Sequence, residues 1–191
     1  CGPNGKILSK ESIKLPGAHN LENILAAVSI TSEFGIDKDI IENTIKNFLG
    51  VEHRIEFVRE LNKVKYYNDS KGTNVDSTIK ALEAFESPLV VIAGGYDKKV
   101  NFTELMDVGK SRVKSFVLLG QTKDLLKEQA ENAGIKCYLV ETMKEAVSKS
   151  YELAEDSDIV LLSPACASWG MYDNFEERGK DFKNLVNELE C

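Results

Sequence analysis

The 191-residue sequence is 42% hydrophobic and 29% charged, a composition that supports a buried core and excludes a disordered chain. Its formal charge of -7, with 24 basic residues scattered among 31 acidic ones, argues against nucleic-acid binding, which calls for a basic stripe. No run approaches the roughly 18 apolar residues of a membrane span, and Cys1-Gly2-Pro3-Asn4-Gly5-Lys6 leads into no signal peptide, so a cytoplasmic protein with no membrane partner is expected.

In chain order, residues 7–15 read as a strand or hairpin edge closed by a Pro16-Gly17 turn. Asn20 is placed to cap a helix running through residues 22–28, with Gly35 as its stop. Asp37 and Asp39 open a second helix, with Ile41, Ile45 and Phe48 on one stripe and Gly50 at its end. Two helices without a completing strand read as a tail whose core lies elsewhere. A chain that opens at Cys1 is expected to be a processed product or part of something longer.

From Val51 onward the pattern becomes regular. Residues 55–58 and 63–67 predict a pair of strands across a polar turn. Four apolar runs of strand length follow at 89–93, 115–119, 136–140 and 159–162. Helical patterns lie between and after them at 75–84, 103–110, 123–133, 143–154 and 173–189. Strands apolar on both faces and separated by helices imply a mostly parallel sheet covered on both sides, hence a doubly wound α/β domain. Two domains are therefore expected: residues 1–50, incomplete, and residues 51–191, with a hinge near Gly50-Val51.

Ligands of such sheets bind at the carboxyl ends of the strands, and three loops there have unusual composition. Asn68-Asp69-Ser70-Lys71-Gly72-Thr73-Asn74 offers donors at a helix amino terminus, a cation in Lys71 and an acceptor in Asp69. It also reads as a plain capping loop. Ala93-Gly94-Gly95-Tyr96-Asp97-Lys98-Lys99 pairs close backbone approach with two lysines, yet taken in isolation it reads rather as a tight turn with solvated charges, and it lacks a dinucleotide fingerprint. Ser163-Pro164-Ala165-Cys166-Ala167-Ser168-Trp169-Gly170 suits a carboxylate cradle. Cys166 has no local base and is expected to be a packing residue. Arg54, between the two regions, is placed to clamp phosphate.

Two absences narrow the chemistry. The four cysteines, Cys1, Cys137, Cys166 and Cys191, form no C-x-x-C pair and are joined by only two histidines, so free thiols and no metal site are expected. The pattern G-x-x-x-x-G-K-[ST] occurs nowhere, so this chain cannot cradle a triphosphate as a P-loop does.

Taken in order, Leu15-Pro16-Gly17-Ala18-His19-Asn20, the helix with Asn23, His53-Arg54, residues 68–74, Gly94-Gly95 and residues 163–179 closely resemble the Mur ligase family. The Asn-Asp-Ser-Lys-x-Thr-Asn loop and the Ser-Pro-Ala-Cys-Ala-Ser … Asn-Phe-x-x-Arg-Gly segment point within it to the branch that adds D-glutamate. The resemblance implies that residues 1–50 are the tail of a central P-loop ATPase domain and residues 51–191 a whole carboxy-terminal, Rossmann-like domain. It implies an ATP-dependent, amide-forming ligase of peptidoglycan precursor synthesis, which joins D-glutamate to UDP-N-acetylmuramoyl-L-alanine through an acyl phosphate. ATP and Mg2+ would serve it, with the metal ligands outside this chain. The chain alone would be inactive, and a monomer is expected. Carried over by motif, Asn20, Asn23, Arg54 and Asp69 would contact ATP, and Lys71 would be the catalytic cation near the phosphates. Thr73 and Lys98 would hold one D-glutamate carboxylate, with Lys99 as the rival of Lys98. Ser168 and the backbone at Phe175 would hold the other. A non-catalytic module using the same cleft for a nucleotide or dicarboxylate is the alternative reading.

Overall fold

The computed structural model describes residues 7–190 and divides the chain into two compact units, Cys1–Gly50 and Val51–Cys191. Among the described residues, no helix is long and apolar enough to cross a membrane.

The first unit contains α1 (Ala18–Glu33) and α2 (Lys38–Asn47). The strand expected within residues 7–15 is absent; a single 3-10 turn at Lys10–Ser12 stands in that stretch. Alternation of polarity specifies a strand only where a sheet exists to receive it, and this unit has none among its described residues. Asn20 does not cap α1. The helix already begins at Ala18, and the Asn20 side chain donates from Nδ2 to the Pro16 carbonyl at 2.7 Å. Asp37 does cap α2, accepting from the Asp39 N–H at 2.8 Å. Among the described residues of this unit only Val28 and Ile41 are buried, whereas Ile30, Phe34, Ile40 and Leu49 stand well exposed. The helices thus turn much of their apolar surface outward.

The second unit is a six-stranded sheet in the order β1-β2-β6-β3-β4-β5. Its strands are β1 (Glu56–Leu61), β2 (Val64–Asn68), β3 (Leu89–Ala93), β4 (Val113–Leu118), β5 (Lys136–Leu139) and β6 (Ile159–Leu162). Strands β1 and β2 form an antiparallel hairpin. Its two-residue turn, Asn62-Lys63, has positive φ at both positions (50° and 63°), the backbone twist that a tight hairpin needs. All other neighbours are parallel. The helices are α3 (Val75–Glu83), α4 (Thr103–Gly109), α5 (Lys123–Asn132), α6 (Met143–Leu153) and α7 (Phe175–Glu188).

Successive strand residues point to opposite faces, and the core divides accordingly. Val91, Phe116, Leu118 and Leu161 pack with Leu82, Leu105 and Leu126, from α3, α4 and α5. Val90, Ile92, Val117 and Leu162 pack with Met143, Val147, Phe182 and Val186, from α6 and α7. The chain moves β2-β3-β4-β5 in one direction under α3 to α5, then returns through α6 to insert β6 between β2 and β3. That reversal is the topological switch point, where the carboxyl ends of neighbouring strands open a crevice. The loops leaving β2, β3 and β6 all emerge there.

Candidate functional site

The loop after β2 is anchored by a buried carboxylate. Asp69, 4% exposed, accepts the Ile55 N–H on Oδ1 at 3.2 Å and the Ser163 hydroxyl on Oδ2 at 2.7 Å. It ties the start of β1 to the end of β6. Ile55 needs that tie, because its φ of 44° places a β-branched residue in the left-handed region. Burial pushes the Asp69 carboxyl up to about 7, although the bonds from Ser163 and Ile55 pull the other way. Gly72 packs against this carboxylate so closely that an added Cβ would lie 2.5 Å from Oδ2. Both carboxylate oxygens already hold protein donors, so a ribose hydroxyl on this residue would have to share or displace one.

His53 is a structural residue. Its Nδ1 lies 2.9 Å from Asn68 Nδ2, which also donates to Glu56 Oε2 at 3.0 Å, while Asn68 Oδ1 accepts from the Ser70 N–H at 3.1 Å. This pattern leaves Nδ1 as an acceptor and puts the imidazole proton on Nε2. Burial lowers the His53 pKa, which agrees with a neutral ring. The His53 carbonyl accepts from the Lys71 N–H at 3.0 Å, fixing the backbone of Lys71 while its side chain is exposed. The Lys71 ammonium stands 5.8 Å from the centre of the Phe175 ring.

Ser163 passes the network on, its Oγ lying 3.0 Å from Thr78 Oγ1, which accepts the Ala165 N–H at 3.1 Å. Ala165 itself has a φ of 57°. From the far side, Arg178 of α7 enters the crevice 97% buried. It donates from Nε to the Ser70 hydroxyl (3.0 Å), from Nη2 to the Ser70 carbonyl (2.8 Å) and from Nη1 to the Cys166 carbonyl (3.1 Å). The Ser70 hydroxyl in turn donates to the Phe175 carbonyl at 2.7 Å. The loop after β3 closes the ring, for Gly94 N–H donates to the Pro164 carbonyl and Tyr96 N–H to the Ala167 carbonyl, each at 2.9 Å. Gly95 sits where a Cβ would lie 2.3 Å from the Ala167 carbonyl, so this approach admits only glycine.

The fold therefore sets Lys71, Thr73, Lys98, Ser168 and Phe175 on three loops at the carboxyl ends of neighbouring parallel strands and on the first turn of α7. Lys98 and Lys99 are exposed, Thr73 is half-buried and Ser168 is buried. Asn174 caps α7 by accepting from the Glu177 N–H at 2.8 Å, and the Phe175 N–H lies in the first turn, where no intrahelical acceptor precedes it. Such a terminus favours an anion. Arg54 is exposed beside the buried Asp69. Asn20 and exposed Asn23 belong to the first unit. Cys166 is buried with its Sγ 3.4 Å from Thr122 Oγ1, and burial raises its pKa, the setting of a packing thiol.

Arg178, Ser163 and Thr78 carry the framework of the crevice; the sequence placed Ser163 in the loop read as a carboxylate cradle, and gave Arg178 and Thr78 no part. Arg178 stood within the quoted Asn-Phe-x-x-Arg-Gly segment. The one available signal was its spacing, four and eight residues before Phe182 and Val186, which puts it on the face of α7 that packs.

The sequence pattern described as "Mur ligase, glutamate ligase domain" matches residues 53–166. A UDP-N-acetylmuramoylalanine–D-glutamate ligase of Caldicellulosiruptor bescii is 55% identical over 189 residues, which is 98% of this chain and 41% of that protein. A ligase of the same name from Clostridioides difficile is 54% identical over 185 residues, 96% of this chain and 41% of its own. The chain thus spans about two fifths of the length of these relatives. Among solved structures, UDP-N-acetylmuramate-alanine ligase from Thermotoga maritima aligns with a TM-score of 0.69 at 18% identity, covering 92% of this chain and 39% of that one. A folylpolyglutamate synthase of Mycobacterium tuberculosis aligns at 0.65 and 17% identity, covering 89% and 41%. These two share the fold.

Proposed function

Since the chain belongs to the Mur ligase family, we propose that it is the carboxy-terminal part of a cytoplasmic ligase adding D-glutamate to UDP-N-acetylmuramoyl-L-alanine. On this reading residues 51–191 are the amino-acid-binding domain and residues 1–50 the end of the central ATP-binding domain. The observation that carries it is 55% identity along 98% of the chain to a relative named for D-glutamate addition.

The reaction proposed for the whole enzyme uses ATP to phosphorylate the alanine carboxylate. The D-glutamate amine then attacks the acyl phosphate, the new C–N bond forms, and phosphate leaves. The part of this chain is to hold and orient. Thr73 and Lys98 grip one carboxylate of D-glutamate. Ser168 and the Phe175 N–H, at the positive end of α7, grip the other. Lys71 stands close to the phosphates and the incoming glutamate, where its positive charge offsets that of the phosphates. Arg54, Asp69, Asn20 and Asn23 serve ATP. Asp69 also fixes the turn that presents Arg54, through its bond to the Ile55 N–H.

Mg2+ is assigned to the remainder of the ligase. In the described residues, ligand atoms of Glu52, His53 and Glu56 converge, but the Lys183 ammonium already bridges the two carboxylates at 2.7 and 2.8 Å. That set holds a cation of its own and does not fit a divalent metal.

The test is ligation by the full-length enzyme, supplied with ATP, Mg2+ and UDP-N-acetylmuramoyl-L-alanine, with single amino acids offered in turn. Phosphate release and product mass should appear with D-glutamate and not with L-glutamate. Product formed with another amino acid, and none with D-glutamate, would overturn the reading.

A further inference from the structure

Trp169, the one tryptophan in the sequence, lies beside buried Ser168 and is itself 54% exposed. Tyr96 meets it edge-on, with ring centroids 5.5 Å apart and planes at 66°. The pair is held from behind by the backbone bridge between Tyr96 and Ala167. Two aromatic rings left in solvent at the mouth of a crevice call for a purpose beyond packing. A cation occupies the face of one of them: the Lys98 ammonium stands 5.2 Å from the centre of the Trp169 ring. The backbone of Lys99 has a φ of 57°, and its N–H donates to Asp97 Oδ1 at 2.6 Å, which closes a local turn.

We propose that Trp169 is a positioning residue whose ring face fixes the Lys98 ammonium at the amino-acid site, making Lys98 rather than Lys99 the carboxylate ligand. The inference rests on the D-glutamate reading above. A lysine on an exposed loop samples many rotamers, and each must be given up when an anion binds. The negative face of an indole attracts the ammonium electrostatically and narrows that ensemble beforehand. Such preorganisation lowers the cost of binding and leaves the chemical step alone. Trp169 should therefore govern the KM for D-glutamate and not kcat.

The experiment uses the full-length ligase with Trp169→Phe, Trp169→Leu, and tryptophans bearing one to four ring fluorines installed at position 169. Fluorination drains the ring face of negative charge with little change of shape. The leucine variant should raise the KM for D-glutamate roughly two- to five-fold, and phenylalanine should fall between it and the parent. KM should also climb with each added fluorine while kcat and the KM for ATP stay level. An active enzyme whose KM is flat across the fluorine series overturns the proposal and leaves the functional reading standing. A parent enzyme that ligates no D-glutamate overturns the reading, and the proposal with it.

Discussion

Arg178 binds the hydroxyl and the carbonyl of Ser70, donating to them at 3.0 Å and 2.8 Å, so one buried guanidinium reads a single loop residue twice. With its third bond, to the Cys166 carbonyl at 3.1 Å, the same fork joins the loops after β2 and β6. All three acceptors are neutral, and among the described residues no carboxylate forms a salt bridge with it. Burial accordingly lowers its pKa to about 10.

Removing that fork should loosen the crevice. Arg178→Met leaves the buried Ser70 and Cys166 carbonyls without their donor, and we expect a loss of about 2–4 kcal/mol in stability. Arg178→Lys should recover less than half of it, because an ammonium cannot reproduce the planar fork. Urea unfolding of the 191-residue chain, followed by a probe in the second unit, measures both. A lysine variant as stable as the parent would show that charge alone suffices.

Asp69 makes a prediction about pH. Its folded pKa is raised from 3.8 to about 7, so between roughly pH 4 and 7 the folded state binds more protons at this site than the unfolded state. Stability from this group is therefore fully present below pH 4 and is lost as pH rises through 7, the reverse of an ion-paired carboxylate. His53 acts oppositely, since its lowered pKa removes stability as pH falls through the unfolded value of 6.5. Asp69→Asn isolates the first effect. The variant should gain on the parent as pH climbs from 4 to 7, at most about 1.4 kcal/mol for each unit inside that window. Parallel stability curves for the two proteins would contradict the assignment.

Gly179 offers a steric test. It lies inside α7, where alanine would ordinarily favour the helix by about 1 kcal/mol. Here an added Cβ would come 2.2 Å from His53 Nδ1 and 3.0 Å from Asn68 Nδ2. Gly179→Ala should therefore destabilise the chain by about 1–3 kcal/mol, as read from the midpoint of urea unfolding. A stabilised variant would mean that His53 can move aside.

The strands and helices of residues 51–191 were legible because each satisfies a local rule. The runs at 89–93 and 159–162 are apolar at every position and prove to be fully buried strands at the centre of the sheet. The strand expected in residues 7–15 failed because alternation is a relation to a sheet, and the described residues of its own unit contain none. The loops of the crevice were visible as composition at strand ends. Their internal wiring was not. Nothing near Asp69 announces that its carboxylate will meet Ser163, 94 residues on, or that Arg178 will bind Ser70 across 108. An arginine in a helix of mixed charge reads as a solvated residue until the packing face is known.

The measurement that bears most directly on the central claim is steady-state kinetics of Lys98→Ala and Ser168→Ala in the full-length ligase. Lys98 should raise the KM for D-glutamate by about ten-fold or more, as the loss of a charge-assisted bond to a carboxylate requires, and Ser168 by about two- to ten-fold. The KM for ATP should stay where it is in both. A KM for D-glutamate unchanged in both variants would contradict the claim that these loops form the amino-acid site.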